Sequence, residues 1–225
     1  MNCIISIDTR KAAVAKAAVE AGADIVNDVS GGSYDSDMIP FVSAHRIPYV
    51  VMHMRGDPST MLKKEFSSYE NVADEVVAEL KTRLSTLNSN FFPKWLQIID
   101  PGIGFAKGYQ ENMQLLNPAT LLRLKESLDS LPLLVGLSRK RFFNQLQQNI
   151  TQKRRTLIVD EDGSTDLVGS NSEKLDSIPS RDLFTAAGCC ISILGGADII
   201  RVHNVQEVRQ ITDTFSAMLL PNVVN

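Results

Sequence analysis

Several groups capable of chemistry stand at the ends of short apolar runs in this 225-residue chain. Asp100 closes the first run of Ile98-Ile99-Asp100-Pro101-Gly102-Ile103-Gly104-Phe105-Ala106-Lys107, and a glycine-rich turn follows at once. Asp8 ends Ile4-Ile5-Ser6-Ile7-Asp8, and Asn27 lies near the end of Ala23-Asp24-Ile25-Val26-Asn27-Asp28. A buried parallel strand that delivers a polar group to an open rim has this form. Two carboxylates and an amide suit a flat heterocycle. Each carboxylate takes N–H donors from an amino group and ring nitrogen, while the amide both donates and accepts. A plainer role competes at each position. Asp8 and Asn27 are favoured helix N-cap types, and Asp100 before Pro101-Gly102 could serve only the turn.

A second set is cationic. Leu133-Leu134-Val135-Gly136-Leu137-Ser138-Arg139-Lys140 and Ile199-Ile200-Arg201-Val202-His203 are apolar runs that release basic groups. Arg201 and His203 are two apart, so on a strand both face one way. Such a pair on a last strand suits a phosphate-binding rim, with Arg201 binding an oxyanion in a fork and His203 donating a hydrogen bond or proton. A salt bridge for Arg201 and a satisfied, half-buried His203 are the alternatives. Of the cations at 139–141, Lys140 is the one expected to point inwards. Met52, Met54 and Phe105 could stack on a planar ligand, or simply pack the core.

Runs of apolar residues alternate with helical patterns, and these must position the polar groups. Strands are expected at 4–7, 24–29, 48–53, 96–99, 131–136 and 198–202. Helices are expected at 10–21, with Gly22 as its stop, and at 37–44, 69–87, 110–127, 182–194 and 205–218. Val72, Val76, Leu80, Leu84 and Leu87 keep a helical period. Residues 149–178, rich in polar types, read as a mobile surface insertion in a single domain spanning 1–225. Alternating β and α elements imply parallel strands with helices outside. Six units are found, where a closed (β/α)8 barrel needs eight.

Composition narrows the class. Hydrophobic residues make up 44% and charged residues 22%, ordinary for a globular protein. A net charge of −3 argues against a nucleic-acid footprint. Cys3, Cys189 and Cys190 form a poor disulfide framework and fit a reducing compartment. No apolar run reaches the roughly 20 residues of a membrane span. The N-terminus has no secretory pattern. His45, His53 and His203 show no zinc spacing with the cysteines, and no Walker loop or G-x-S-x-G elbow occurs.

Taken in order, Ser6-Ile7-Asp8-Thr9, Ile25-Val26-Asn27-Asp28-Val29-Ser30-Gly31-Gly32, Met52-His53-Met54-Arg55-Gly56, Asp100-Pro101-Gly102-Ile103-Gly104-Phe105, Gly136-Leu137-Ser138-Arg139-Lys140 and Arg201-Val202-His203 closely resemble the dihydropteroate synthases, in their eukaryotic, fungal-looking branch. The resemblance implies a TIM barrel that joins 6-hydroxymethyl-7,8-dihydropterin pyrophosphate to p-aminobenzoate in folate synthesis, a step targeted by sulfonamides. It implies that Asp8, Asn27 and Asp100 hold the pterin ring, with Met52 and Gly136 among the substrate-binding residues. Lys140 would lie between the pterin and p-aminobenzoate, Phe105 and Ser138 near the latter, and Arg201 and His203 at the pyrophosphate. It implies Mg²⁺ bound with that pyrophosphate.

Two features expected of the family are not in the sequence: an Asn-x-Thr-x-Asp-Ser-Phe-Ser-like loop for Mg²⁺ and pyrophosphate, and a Ser-Thr-Arg-Pro-like loop over p-aminobenzoate. The chain is thus expected to correspond to six of the family's eight units, with no metal ligand of its own and impaired activity when alone. A non-catalytic pterin-binding module and, on weaker grounds, a pterin-dependent methyltransferase are the alternatives. The resemblance further implies a homodimer through the helices near 182–194 or 205–218, upstream folate-pathway domains, and a cytoplasmic or mitochondrial location.

Overall fold

The computed structural model describes residues 3–57, 59–61, 63–157 and 178–219. These fall into two compact units. The first comprises residues up to Gly136 together with Ile191–Arg201, and it contains all six strands.

In the first unit β1 (Ser6–Asp8), β2 (Ile25–Asp28), β3 (Tyr49–Met52) and β4 (Gln97–Asp100) form a parallel sheet in sequence order. A second parallel pair joins β5 (Leu134–Gly136) and β6 (Ile199–Arg201). A bridge between Ile99 and Leu133 links the two sheets. Val50, Ile98 and Leu134 pack together with Ile25 and Ile199, one side chain from each of five strands. The strands therefore curve about a shared inner layer, as in a barrel. Among the described residues β1 and β6 do not pair, and the barrel is not closed.

The outer elements follow from local chemistry. Helix α1 (Ala12–Glu20) ends where Gly22 adopts φ +106°, a conformation only glycine takes without strain. Its first turn is tied down by Asp35, whose carboxylate accepts from the Ala12 amide at 2.8 Å. After α2 (Met38–His45) and the short α3 (Lys64–Ser67) comes α4 (Val72–Ser89), capped by the Asn71 side chain accepting from the Asp74 amide. Its stripe Val72, Val76, Leu80, Leu84 and Leu87 is buried as the period requires. The single helix expected over 110–127 is instead two, α5 (Tyr109–Leu115) and α6 (Pro118–Ser127). Pro118 cannot continue a helix, and Asn117 caps the new one by accepting from Ala119.

The run at 4–7 was expected to be a buried strand. Ile4 and Ile5 are instead 72% and 54% exposed, and β1 begins only at Ser6. Only the β2 side of β1 carries a strand among the described residues, so this edge lacks a neighbour.

The second unit holds Leu137–Cys190 and the residues after Arg201. It contains α7 (Phe142–Leu157), most of α8 (Ile178–Leu194) and α9 (Val205–Leu219). Residues 149–157, expected as the start of a mobile insertion, continue α7; the rest of that stretch up to 177 lies outside the described residues. Phe143 stacks on Phe184 with ring centres 6.1 Å apart. Gly188 lets this packing close: a Cβ there would lie 2.9 Å from Leu137 and 3.1 Å from Phe143.

Candidate functional site

In a parallel sheet the strand ends share one side, so the register decides which polar groups are neighbours. Asp8 lies directly across from Asn27, Met52 from Asp100, and Gly136 from Arg201. Asn27 donates from Nδ2 to Asp8 Oδ1 at 2.6 Å. Its Oδ1 is buried and has no hydrogen-bond partner among the described residues. A buried amide oxygen left this way costs on the order of 1–3 kcal/mol unless something donates to it. The helix-cap alternatives do not hold for Asp8, because Lys11 occupies the N-cap position of α1.

Asp8 also forms an ion pair with Arg201, joining a predicted heterocycle-binding carboxylate to a predicted phosphate-binding cation. Both side chains are about half exposed, at 47% and 52%. The neighbouring Asp28, fully buried, has a different job. Its carboxylate accepts from the Ser30 amide and hydroxyl, the Gly32 amide and the Tyr49 hydroxyl, all within 2.9 Å. It folds the loop after β2, and burial together with this carboxylate pushes the Tyr49 phenol up.

Asp100 is buried, and its Oδ1 accepts from the Gly102 amide at 2.7 Å. The turn role is realised at this residue. Gly102 has φ +66°, and a Cβ there would lie 1.9 Å from the His53 carbonyl oxygen. The turn is locked against the strand end of β3. Met52 is 2% exposed and packs with Met54, Ala106 and the half-buried Phe105. The core reading is the one realised for Met52 and Met54.

Behind the Asp100 turn lies a network that the sequence did not disclose. Lys107 is buried, and its ammonium donates to the carbonyls of Gly102 at 3.1 Å and Phe105 at 3.0 Å. It lies 2.9 Å from His53 Nδ1. With the ammonium donating there, the imidazole carries its proton on Nε2 and donates to Glu79 Oε2 at 3.1 Å. Glu79 accepts in turn from Arg55 Nε at 2.8 Å, and Arg55 stacks on the Tyr69 ring. The Tyr69 hydroxyl returns to the Ala106 carbonyl at 2.9 Å, which closes the circuit. Burial sets the titration of this network. It lowers Lys107 to about 7 and His53 to about 4. For Glu79 burial acts upward, but hydrogen bonds from His53 and Arg55 outweigh it and hold the carboxyl at about 2. The available signal was the run Glu75, Glu79, Arg83, at four-residue spacing beside the apolar stripe of α4. Arg83 donates to the carbonyls of Ser30, Met52 and Met54.

In the second unit Ser138 and His203 come together: the ring Nδ1 lies 2.7 Å from the hydroxyl, and the His203 amide donates to the same oxygen. Arg139, at φ +58°, pairs with Asp182 at 3.0 Å. Lys140, just before α7, is partly buried.

Asp8, Asn27 and Asp100 stand at the C-terminal end of one parallel sheet, in the order read from the sequence. A family model described as pterin binding enzyme matches residues 1–203. The chain belongs to the pterin-binding enzyme family. The mitochondrial folate synthesis bifunctional protein of Arabidopsis thaliana is 38% identical over 221 residues, covering 96% of this chain and 35% of that protein. A crystal structure of dihydropteroate synthase from Stenotrophomonas maltophilia, with imidazole bound in its active site, is 31% identical with TM-score 0.78, covering 100% of this chain and 72% of that one. The synthase of Thermus thermophilus in complex with 4-aminobenzoate is 30% identical with TM-score 0.73, covering 96% and 70%. The chain thus spans about a third of the length of the bifunctional relative. Its fold is that of the TIM-barrel synthases. No described helix is long and apolar enough to cross a membrane.

Proposed function

We propose that this chain carries the pterin-holding and coupling groups of a dihydropteroate synthase, which condenses 6-hydroxymethyl-7,8-dihydropterin pyrophosphate with p-aminobenzoate and releases pyrophosphate. The observation that carries the reading is the buried, unpartnered Asn27 Oδ1 beside the Asp8 carboxylate. An acceptor pair of this kind calls for a ligand with adjacent N–H donors, and a pterin amino group and ring N–H supply them.

In this reading Asp8, Asn27 and Asp100 orient the pterin, and the two aspartate carboxylates stabilise positive charge as its methylene carbon loses the pyrophosphate oxygen. The C–O electron pair leaves with pyrophosphate. Arg201 and His203 are assigned to that leaving group, which requires the exposed Arg201–Asp8 pair to open. The arylamine lone pair forms the new C–N bond, and the nitrogen gives up a proton to solvent. Lys140, Ser138, Phe105 and Gly136 are assigned by motif to the p-aminobenzoate side and its junction with the pterin. No protein nucleophile is required.

Mg²⁺ in this scheme would arrive on the pyrophosphate. Among the described residues no three His, Cys, Asp or Glu side chains converge as a cation cage. No step is assigned to the ion. Dimerisation through α8 or α9, further folate-pathway domains as the Arabidopsis relative's bifunctional name suggests, and a mitochondrial or cytoplasmic location belong to the same proposal.

The test is a product assay on the 225-residue chain with Mg²⁺, the pterin pyrophosphate and labelled p-aminobenzoate. A Lys140→Ala control runs beside it, and pterin binding is followed by calorimetry. Product that vanishes in the control supports the full reaction. Saturable pterin binding without product reduces the chain to a pterin-binding module. Failure to bind any pterin overturns the reading.

A further inference from the structure

A chain that buries a lysine inside a packed turn accepts a large desolvation cost, and a methionine of similar volume would avoid it. Lys107 sits in such a place, and every hydrogen-bonding direction it has is used. Its three donors face three acceptors: the carbonyls of Gly102 and Phe105, and His53 Nδ1. The turn is held from other sides as well. Asn112 accepts from the Gly104 amide at 2.6 Å and donates to the Lys107 carbonyl at 3.1 Å. Gly102, the residue gripped by Lys107 through its carbonyl, gives its amide to Asp100. One residue thus connects the buried ammonium to the strand-end carboxylate.

We propose that Lys107 is a positioning residue for the Asp100 carboxylate and the Phe105 ring, and that its protonation state sets how firmly both are held. The inference rests on the pterin reading for what Asp100 binds, but not for how the turn is held. Five charged or titratable groups face Lys107 from the elements around it: Asp100 at the end of β4, Glu79 and Arg83 on α4, and His53 and Arg55 after β3. His53 is neutral near pH 7, since burial lowers it to about 4. Glu79 and the arginines stay charged there, which leaves Lys107, lowered to about 7, as the group in the network that changes charge near neutrality. As an ammonium it satisfies all three acceptors. As an amine it keeps two protons for three acceptors, and the turn loses one tie.

Amide hydrogen exchange of the full chain between pH 6 and 9 tests this directly. Rates at Gly102, Gly104 and Phe105 are taken relative to Val76 and Leu80 in α4, which removes the general base dependence. The expected result is a three- to tenfold relative acceleration of the turn amides centred near pH 7. In Lys107→Met the turn amides should exchange about tenfold faster than in the parent at pH 6, with no step near neutrality. Calorimetry with 6-hydroxymethyl-7,8-dihydropterin pyrophosphate should show about tenfold weaker binding by the variant at pH 6, the difference narrowing by pH 8.5. A parent protein whose turn amides track α4 across the whole range overturns the proposal, and needs no variant to do so. So does a folded Lys107→Met protein with parental exchange, or with parental pterin affinity at pH 6. If the parent binds no pterin, the functional reading falls while the exchange profile still decides the role of Lys107.

Discussion

Asp8 and Asp100 are announced by the same kind of sequence, an apolar run ending in aspartate, yet they sit in opposite surroundings. Asp8 ends a strand with apolar residues in solvent, and its partner Arg201 is as exposed as it is. Asp100 ends a buried strand, and the turn behind it is fastened by Lys107, Tyr69 and Asn112. A strand-end carboxylate is rigid or adaptable according to what lies behind it. Here that support comes from Lys107 and Asn112 just downstream and from Tyr69, with Glu79 acting through His53. One aspartate is fixed in place; the other is held only by an exposed ion pair.

The sharpest way to break this contrast is at Gly102. In Gly102→Ala the new methyl meets the His53 carbonyl at 1.9 Å and the backbone keeps a positive φ. Backbone strain of ~1–2 kcal/mol adds to overpacking of ~1–3 kcal/mol, so a loss of about 3 kcal/mol is expected in urea unfolding. Parental stability would mean the two turns are not interlocked.

Acid should expose the same region next. In the unfolded chain His53 takes up a proton near its ordinary 6.5, whereas in the fold it waits until about 4. Stability therefore falls as pH drops through that interval, on the order of 2 kcal/mol. Glu79, held at about 2, adds a further loss as pH drops below its ordinary 4.5. Unfolding midpoints at pH 7, 5.5 and 4 measure this, and His53→Gln should flatten the upper part of the curve. Smallest is the effect at the exposed end. Arg201→Met should change stability by no more than ~0.5 kcal/mol, because a solvent-exposed pair contributes little. A loss several times larger, seen in the same urea titration, would make the Asp8 end as rigid as the Asp100 turn.

The sequence made the repeating parts visible. The stripe from Val72 to Leu87, the stop at Gly22 and six parallel strands follow from period and glycine chemistry alone. The site aspartates and Asn27 were visible too, because apolar runs seldom end in such groups without reason. The buried cations were not. Lys107 and Arg83 carry the same charge as solvated neighbours, and only the packing of α4 against β3 and the Asp100 turn separates them from surface residues. The exposure of Ile4 and Ile5 was equally hidden, since a strand's composition does not say how many neighbours it has. The break at Asn117-Pro118 was legible in principle, and the unbroken helix at 110–127 was read across it.

The closed circuit through Lys107, His53, Glu79, Arg55 and Tyr69 also constrains how this protein can change over time. Each member satisfies a charge or proton of the next, so replacing one alone leaves its neighbour without that partner, at the greatest cost beside the buried His53 and Lys107. A viable lineage must either keep the ring or substitute several members in quick succession. Positions 53, 79 and 107 should therefore drift as a set, while Asp8 and Arg201, facing water, are free to be lost or regained one at a time as function allows.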